Sequence, residues 1–249
     1  MKTYAEIKTV TKSLVDTLLA MNTNNRIIKH RVVERYKRDI ASGNWALTNQ
    51  GIGVSVDGVL IDGQHRLLAI AQSGYPPIQI LVVYGLSMDS QKHVDQQAKR
   101  SARDLLMFAF NARVSRSAPA IGNCILKFEL NSSHYTATIS ELMDCIETYI
   151  DEIELLSAIP KSGNFFAAPF MASFTLAAKQ HGISRIGSFM RSVEDGENLV
   201  KTMPAFHLRN MIITQKGRVG SSGQRDRMMK CNKAISAYLE GKEMGVLRA

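Results

Sequence analysis

The sequence predicts an α+β protein, with a small mixed-sheet domain over residues 1–110 and an all-helical domain over residues 111–249. Three observations predict it. First, Ile52, Val54 and Val56 alternate with Gly53, Ser55 and Asp57, the period-2 pattern of a half-buried strand, and Asp57-Gly58 follows as a tight-turn pair. Second, residues 78–84 form a nearly continuous apolar run, as a central strand covered on both faces does. Third, from Asn111 onward apolar residues recur only at helical spacing.

In chain order, residues 3–21 place Ile7, Val10, Leu14, Val15, Leu18 and Leu19 at helical spacing. They predict an amphipathic helix, a cap on the core or a dimer contact, ended by Asn22-Thr23-Asn24-Asn25. Residues 27–41 predict a second helix, with Ile28, Val32, Val33, Tyr36 and Ile40 on its apolar face and a basic opposite face. Ser42-Gly43-Asn44 stops it, and Trp45, the only tryptophan, is expected to pack beside the sheet. After the Asp57-Gly58 turn, residues 59–61 make a short strand, Asp62-Gly63 breaks it, and Leu67 to Ala71 continue as a buried helix. Ser73 to Pro77 is a loop before the apolar strand, and Ser87 opens another helix.

In the second domain, residues 116–130, 139–156, 165–180 and 189–199 read as helices. The second of these carries Glu141, Asp144, Glu147, Asp151, Glu152 and Glu154 with no Lys or Arg, read as a solvated acidic face rather than a metal site. Residues 209–233 carry Arg209, Lys216, Arg218, Arg225, Arg227, Lys230 and Lys233 against Asp226 alone, with a Gly- and Ser-rich middle expected to be a flexible loop.

Composition bounds the partners. The chain has 249 residues, 45% hydrophobic, enough to bury a core, and a net charge of +9 that favours a polyanion such as DNA. The two basic stretches nominate Arg31, Arg35, Arg38, Arg218, Arg225 and Arg227 as phosphate contacts, with a merely solvated surface as the alternative. Cys124, Cys145 and Cys231 are widely spaced, which argues against a disulfide framework or a zinc site and fits a reducing cytoplasm. No apolar run approaches a membrane span and no secretory pattern opens the chain, so neither membrane insertion nor export is expected.

The stretch Asp62-Gly63-Gln64-His65-Arg66 stands where a strand turns into a helix. First-turn amides have no intrahelical partner and the helix dipole is positive there. Gly63 lets backbone approach a ligand, and Arg66 adds a fork of donors suited to phosphate. The plainer alternative is that Asp62 caps the helix and pairs with Arg66 while His65 is solvated.

These five residues, with the hairpin before and the helix and strand after, resemble the signature of the ParB/sulfiredoxin-like superfamily. Partition proteins carry Gly-Glu-Arg-Arg there, sulfiredoxin Gly-Gly-Cys-His-Arg, and a free-serine kinase Asp-Gly-His-His-Arg. The likeness runs from about Asn25 to Leu106 and is greatest to a phage-encoded branch with Asp-Gly-Gln-His-Arg-Leu. It implies ATP or CTP with Mg2+ as cofactor, held by Gly63, Gln64, His65 and Arg66. Asp95 and Arg100 are a loose analogue of the nucleotide-binding helix of partition proteins. Asp62, His65 and Arg66 become the catalytic candidates, Asp62 or His65 as base; the metal ligands stay unknown. Sulfiredoxin chemistry is excluded, because its cysteine position is Gln64.

Three functions follow from the resemblance. The first is a phosphotransferase acting on DNA or a modified base. The second is a ParB-like DNA-binding nucleotide switch, although the upstream Asn-Pro box is reduced to Asn24-Asn25-Arg26 and no helix-turn-helix follows. The third is a metal-dependent nuclease, for which only Asp57, Asp62 and Asp95 lie near the motif. A chain that kept the fold and lost the chemistry is a fourth outcome. The expected partners are DNA and a nucleoside triphosphate, the expected location is the cytoplasm (the host's, for a phage protein), and the sequence leaves the oligomeric state open.

Overall fold

The computed structural model describes residues 2–23, 25–92, 101–110, 114–159, 166–214 and 220–248. The fold is α+β, with a four-stranded mixed sheet near the N-terminus and a helical C-terminal part. The chain divides into two compact units, Met1–Lys99 and Arg100–Ala249.

The first unit runs β1 (Tyr4–Thr9), α1 (Lys12–Ala20), α2 (His30–Ala41), β2 (Ile52–Ser55), β3 (Leu60–Asp62), α3 (Gln64–Gln72) and β4 (Gln79–Leu86). The sheet order is β1-β4-β2-β3. β4 pairs antiparallel with β1 and parallel with β2, and β2 pairs antiparallel with β3. Val15 and Leu18 of α1 and Leu67 and Ile70 of α3 pack with Ile52, Val54, Leu60, Ile80 and Val82 of the sheet. β4 is central, as its apolar run implies, but Leu81 and Val83 alternate as half-buried, so only one face is fully covered.

The helix expected over 3–21 is half right. Residues 4–9 are the edge strand β1, and Thr11 starts α1 by accepting the Leu14 N–H on its Oγ1 at 3.2 Å. A ladder to residues 79–84 outweighs the local spacing, and Tyr4 stacks on its cross-strand partner Tyr84 with ring centres 5.1 Å apart. α2 begins at His30 rather than residue 27. After β4 the chain turns helical just past Ser87, as a 3-10 helix over Met88–Lys92, and residues 93–100 lie outside the described residues.

The second unit runs α4 (Ala102–Ala109), α5 (Ala118–Glu129), α6 (Ile139–Ser157), α7 (Ala168–His181), α8 (Ile183–Asp195), α9 (Pro204–Thr214) and α10 (Ser221–Leu239). Leu106 of α4 is buried in the helical core, so the division falls at 99/100 rather than at 110/111. α7 is the central helix, packing against α5, α6, α8 and α10. It is buried nearly all round because its Ala, Ser and Phe pattern has no polar face. Cys124, Cys145 and Cys231 are buried here, and burial pushes the Cys124 thiol up to about 11 and Cys145 up to about 12. They behave as small apolar core residues.

Two expectations for this unit are corrected. The Gly- and Ser-rich middle of residues 209–233 was expected to be a loop, yet Ser221, Ser222 and Gly223 form the first turn of α10; residues 215–219 lie outside the described residues. The carboxylates of α6 are not simply solvated. Glu141 completes a capping box with Thr138, Glu154 accepts the Ser115 N–H at 2.6 Å, and Glu152 is buried 3.4 Å from Lys179.

Candidate functional site

The site grows from the turn between β3 and α3. Gly63 has φ +102°, and a Cβ there would stand 2.4 Å from Ile52 Cδ1. Both the left-handed backbone and the space demand glycine. With no side chain at Gly63, α3 begins without a side-chain cap, and its first-turn amides have no intrahelical partner.

The three residues that follow are held in different ways. Gln64 is buried, donates from Nε2 to the Arg26 carbonyl at 2.8 Å and accepts from Asn22 Nδ2 at 3.3 Å. Asn25 fastens the same loop, donating to Asn22 Oδ1 at 2.7 Å and to the Leu60 carbonyl at 2.6 Å. His65 is 7% exposed, and its Nε2 accepts the Lys29 N–H at 2.9 Å. An acceptor at Nε2 requires the neutral ring with its proton on Nδ1. Its pKa lies below the usual histidine value, chiefly through burial and then through the charges of Arg26 and Lys29, with Asp62 opposing.

Arg66 turns to a different task from the one the motif suggests. Its guanidinium donates to the Gln50 carbonyl, to the Gly51 carbonyl at 2.8 Å and to Asp62 Oδ2 at 3.2 Å. The Arg66 side chain is only 14% exposed. It therefore clamps the entry to β2 onto α3, with three of its five N–H donors engaged. Asp62 pairs with Arg66, as the plainer alternative had it, but does not cap the helix. His65 is not solvated.

Lys29 is the residue before α2, and α2 too starts with no side-chain cap. The His65–Lys29 bond thus joins the first turns of two helices that pack together. Arg26, Lys29, His30 and Arg31 are exposed around this junction. Two uncapped helix starts with four basic side chains attract an anion with several oxygens. Sequence reasoning placed Arg26 in a degraded box and Lys29 and His30 on a basic helix face, and did not connect them with the motif. The available signal was a helix start with no Ser, Thr, Asp or Asn at the capping position.

The nucleic-acid candidates separate. Arg31 is exposed, and Arg35 and Arg38 are half-buried along α2. Arg225 is half-buried, 5.5 Å from the Phe128 ring centre. Arg227 is 5% exposed and lies over Phe170 at 5.8 Å, so it is not a phosphate contact: a cation held over a core ring is out of a polyanion's reach. Arg209 donates to the Val193 carbonyl at 2.8 Å and to the Glu194 carbonyl, closing the end of α8. Asp95, Arg100 and Arg218 lie outside the described residues.

Among the described residues, no three His, Cys, Asp or Glu side chains converge as metal ligands, and no helix is long and apolar enough to cross a membrane. No family model, curated protein or solved structure matches the chain.

Proposed function

We propose that this chain is a DNA-associated, nucleotide-responsive protein whose α2–α3 junction holds the phosphates of a nucleoside triphosphate. The carrying observation is the pair of uncapped helix starts joined through His65, with Arg26, Lys29, His30 and Arg31 around them. Triphosphate oxygens suit that donor set, and the ParB/sulfiredoxin-like resemblance supports ATP or CTP as their source. Mg2+ would travel with the triphosphate, but no described set of carboxylates is assigned to it.

The geometry favours a switch over phosphoryl transfer. A general base needs a lone pair within reach of the acceptor's proton. The Nε2 lone pair of His65 is spent on Lys29, and Asp62 offers only one oxygen, Oδ2, to Arg66, which leaves Asp62 as the base candidate of the second reading. Phosphotransfer to DNA and metal-dependent cleavage remain the second and third readings. DNA contact would come from α2, through Arg31, Arg35 and Arg38.

Calorimetry with ATP, CTP and inorganic tripolyphosphate tests the reading. The double variant Arg26→Gln/Lys29→Gln should weaken triphosphate binding by at least about tenfold, within the roughly 1.5–3 kcal/mol of a charge-assisted contact. No binding of any triphosphate by the parent protein contradicts the reading. Transfer of labelled γ-phosphate to DNA that fails in His65→Gln would restore the phosphotransferase.

A further inference from the structure

We propose that a cavity beside β2 and β4 is a binding site for a nucleobase. Gly43, at φ +71°, ends α2 and lets the chain double back along the sheet. The loop it starts carries Trp45, whose indole N–H donates to the Gln79 carbonyl at 3.0 Å. Tyr36 of α2 meets that indole edge-on, with ring centres 6.3 Å apart and planes at 61°. Both rings line a cavity of about 220 Å³. Ile52 and Ile80 supply apolar lining, and both are buried.

Ala46, Leu47 and Leu81 add apolar lining, and the polar lining is what a base edge needs. Asn44, Thr48 and Gln50 are exposed residues whose side chains carry donors and acceptors together. Arg66 forms part of the wall, fixed beforehand by its bonds to Gln50, Gly51 and Asp62. A site of this size falls below the roughly 300–1,000 Å³ of drug-sized ligands, so it admits one ring system rather than a whole nucleotide. Aromatic walls stack a planar π-face, and a mixed amide and hydroxyl rim reads a heterocycle's edge.

The inference does not rest on the phosphate reading. Lys29 lies at the start of α2 and Asp39, which also lines the cavity, near its end. Ten residues of helix separate them by about 15 Å. The base can come from a free nucleoside or from a nucleic-acid strand.

Trp45 is the chain's only tryptophan and lines the cavity, so its fluorescence reports on binding there. The titrants are adenosine, cytidine, guanosine, thymidine and a mixed-sequence single-stranded oligonucleotide, with N-acetyltryptophanamide as the absorption control. A saturable change with at least one titrant is expected. Saturation by a nucleoside assigns the site to free bases, and saturation by the oligonucleotide alone assigns it to bases splayed from a strand. Ala46→Phe, at an exposed position lining the cavity, should weaken that binding by at least about tenfold, the scale of one stacked base. If that variant melts below the parent, Thr48→Phe takes its place, with Trp45→Phe followed by calorimetry. No saturable change with any titrant overturns the proposal, as does saturable binding that a folded cavity-filling variant leaves intact. Nucleosides carry no phosphate, so this failure is distinguishable from failure of the phosphate site.

Discussion

Residues 26–38 and 209–233 are both rich in arginine and lysine with few acids between them, yet the fold uses them differently. In the first stretch, Arg26, Lys29, His30 and Arg31 stand exposed around two helix starts. In the second, Arg209 is spent on the carbonyls that end α8, Arg227 is sealed over Phe170, and Lys230 pairs with Asp226 at 2.7 Å. The difference lies in what surrounds each cation. Ile27, in the loop before α2, is 90% exposed, whereas α9 and α10 bury Leu208, Met211, Met228 and Cys231 in the helical core and carry their long side chains in with them. A run of positive charge in a sequence is therefore evidence of a polyanion surface only where the neighbouring apolar pattern leaves it outside.

The largest effect is expected at the turn itself. Gly63→Ala puts a methyl into Ile52 and forces an L-residue to φ +102°, costing roughly 2–4 kcal/mol of stability from overpacking and backbone strain together. Urea unfolding measures it, and a change below about 1 kcal/mol would mean that the turn relaxes freely.

Next come the arginines. Arg66→Ala and Arg209→Ala should each lower unfolding free energy by roughly 1.5–3 kcal/mol, the scale of hydrogen bonds to a charged group, and Arg227→Ala by roughly 0.5–2 kcal/mol, the scale of its cation–π contact with Phe170. Affinity of Arg209→Ala and Arg227→Ala for DNA, measured on folded protein, should be unchanged. A DNA defect without a stability defect would return the second stretch to the nucleic-acid surface.

Histidine 65 gives a smaller, pH-dependent effect. Its folded pKa lies below its unfolded value of about 6.5. The unfolded chain then binds the extra proton first, so the His65 contribution is full above that value and is lost as pH falls through the folded one. Thermal melts from neutral to mildly acidic pH should show the parent losing stability faster than His65→Gln, which keeps an acceptor for Lys29 but does not titrate. Parallel curves would deny that burial and the charges of Arg26 and Lys29 depress the His65 pKa.

The smallest effect is on α2. Arg31→Gln and Arg35→Gln should each reduce the slope of log K against log salt for duplex DNA by about 0.9, if each meets one phosphate. A slope that stays constant in both variants would remove α2 from the DNA surface.

Local chemistry was legible in the sequence and long-range chemistry was not. The hairpin at Asp57-Gly58, the break at Gly63 and helix α3 follow from residues within a few positions of one another, and the structure has each of them. β1 was hidden because its ladder partners lie 70 to 80 residues away, and Ile7 and Val10 happen to continue the spacing of α1. The site divided in the same way. Gly63 and the Asp62–Arg66 pair were readable from local sequence, whereas the other groups that occupy His65 and Arg66 are backbone atoms of Lys29, Gln50 and Gly51, which carry no side-chain signature. Cationic side chains near a motif suggest phosphate binding, but only the acceptors around them decide which are already engaged.

The most direct test is a two-dimensional amide NMR titration of the labelled protein with tripolyphosphate. The account expects the largest shifts at the first-turn amides of the two helices, His30 and Arg31 in α2 and Gln64 to Arg66 in α3, moving with one binding constant. Shifts spread over the surface, or gathered in α10, would contradict it.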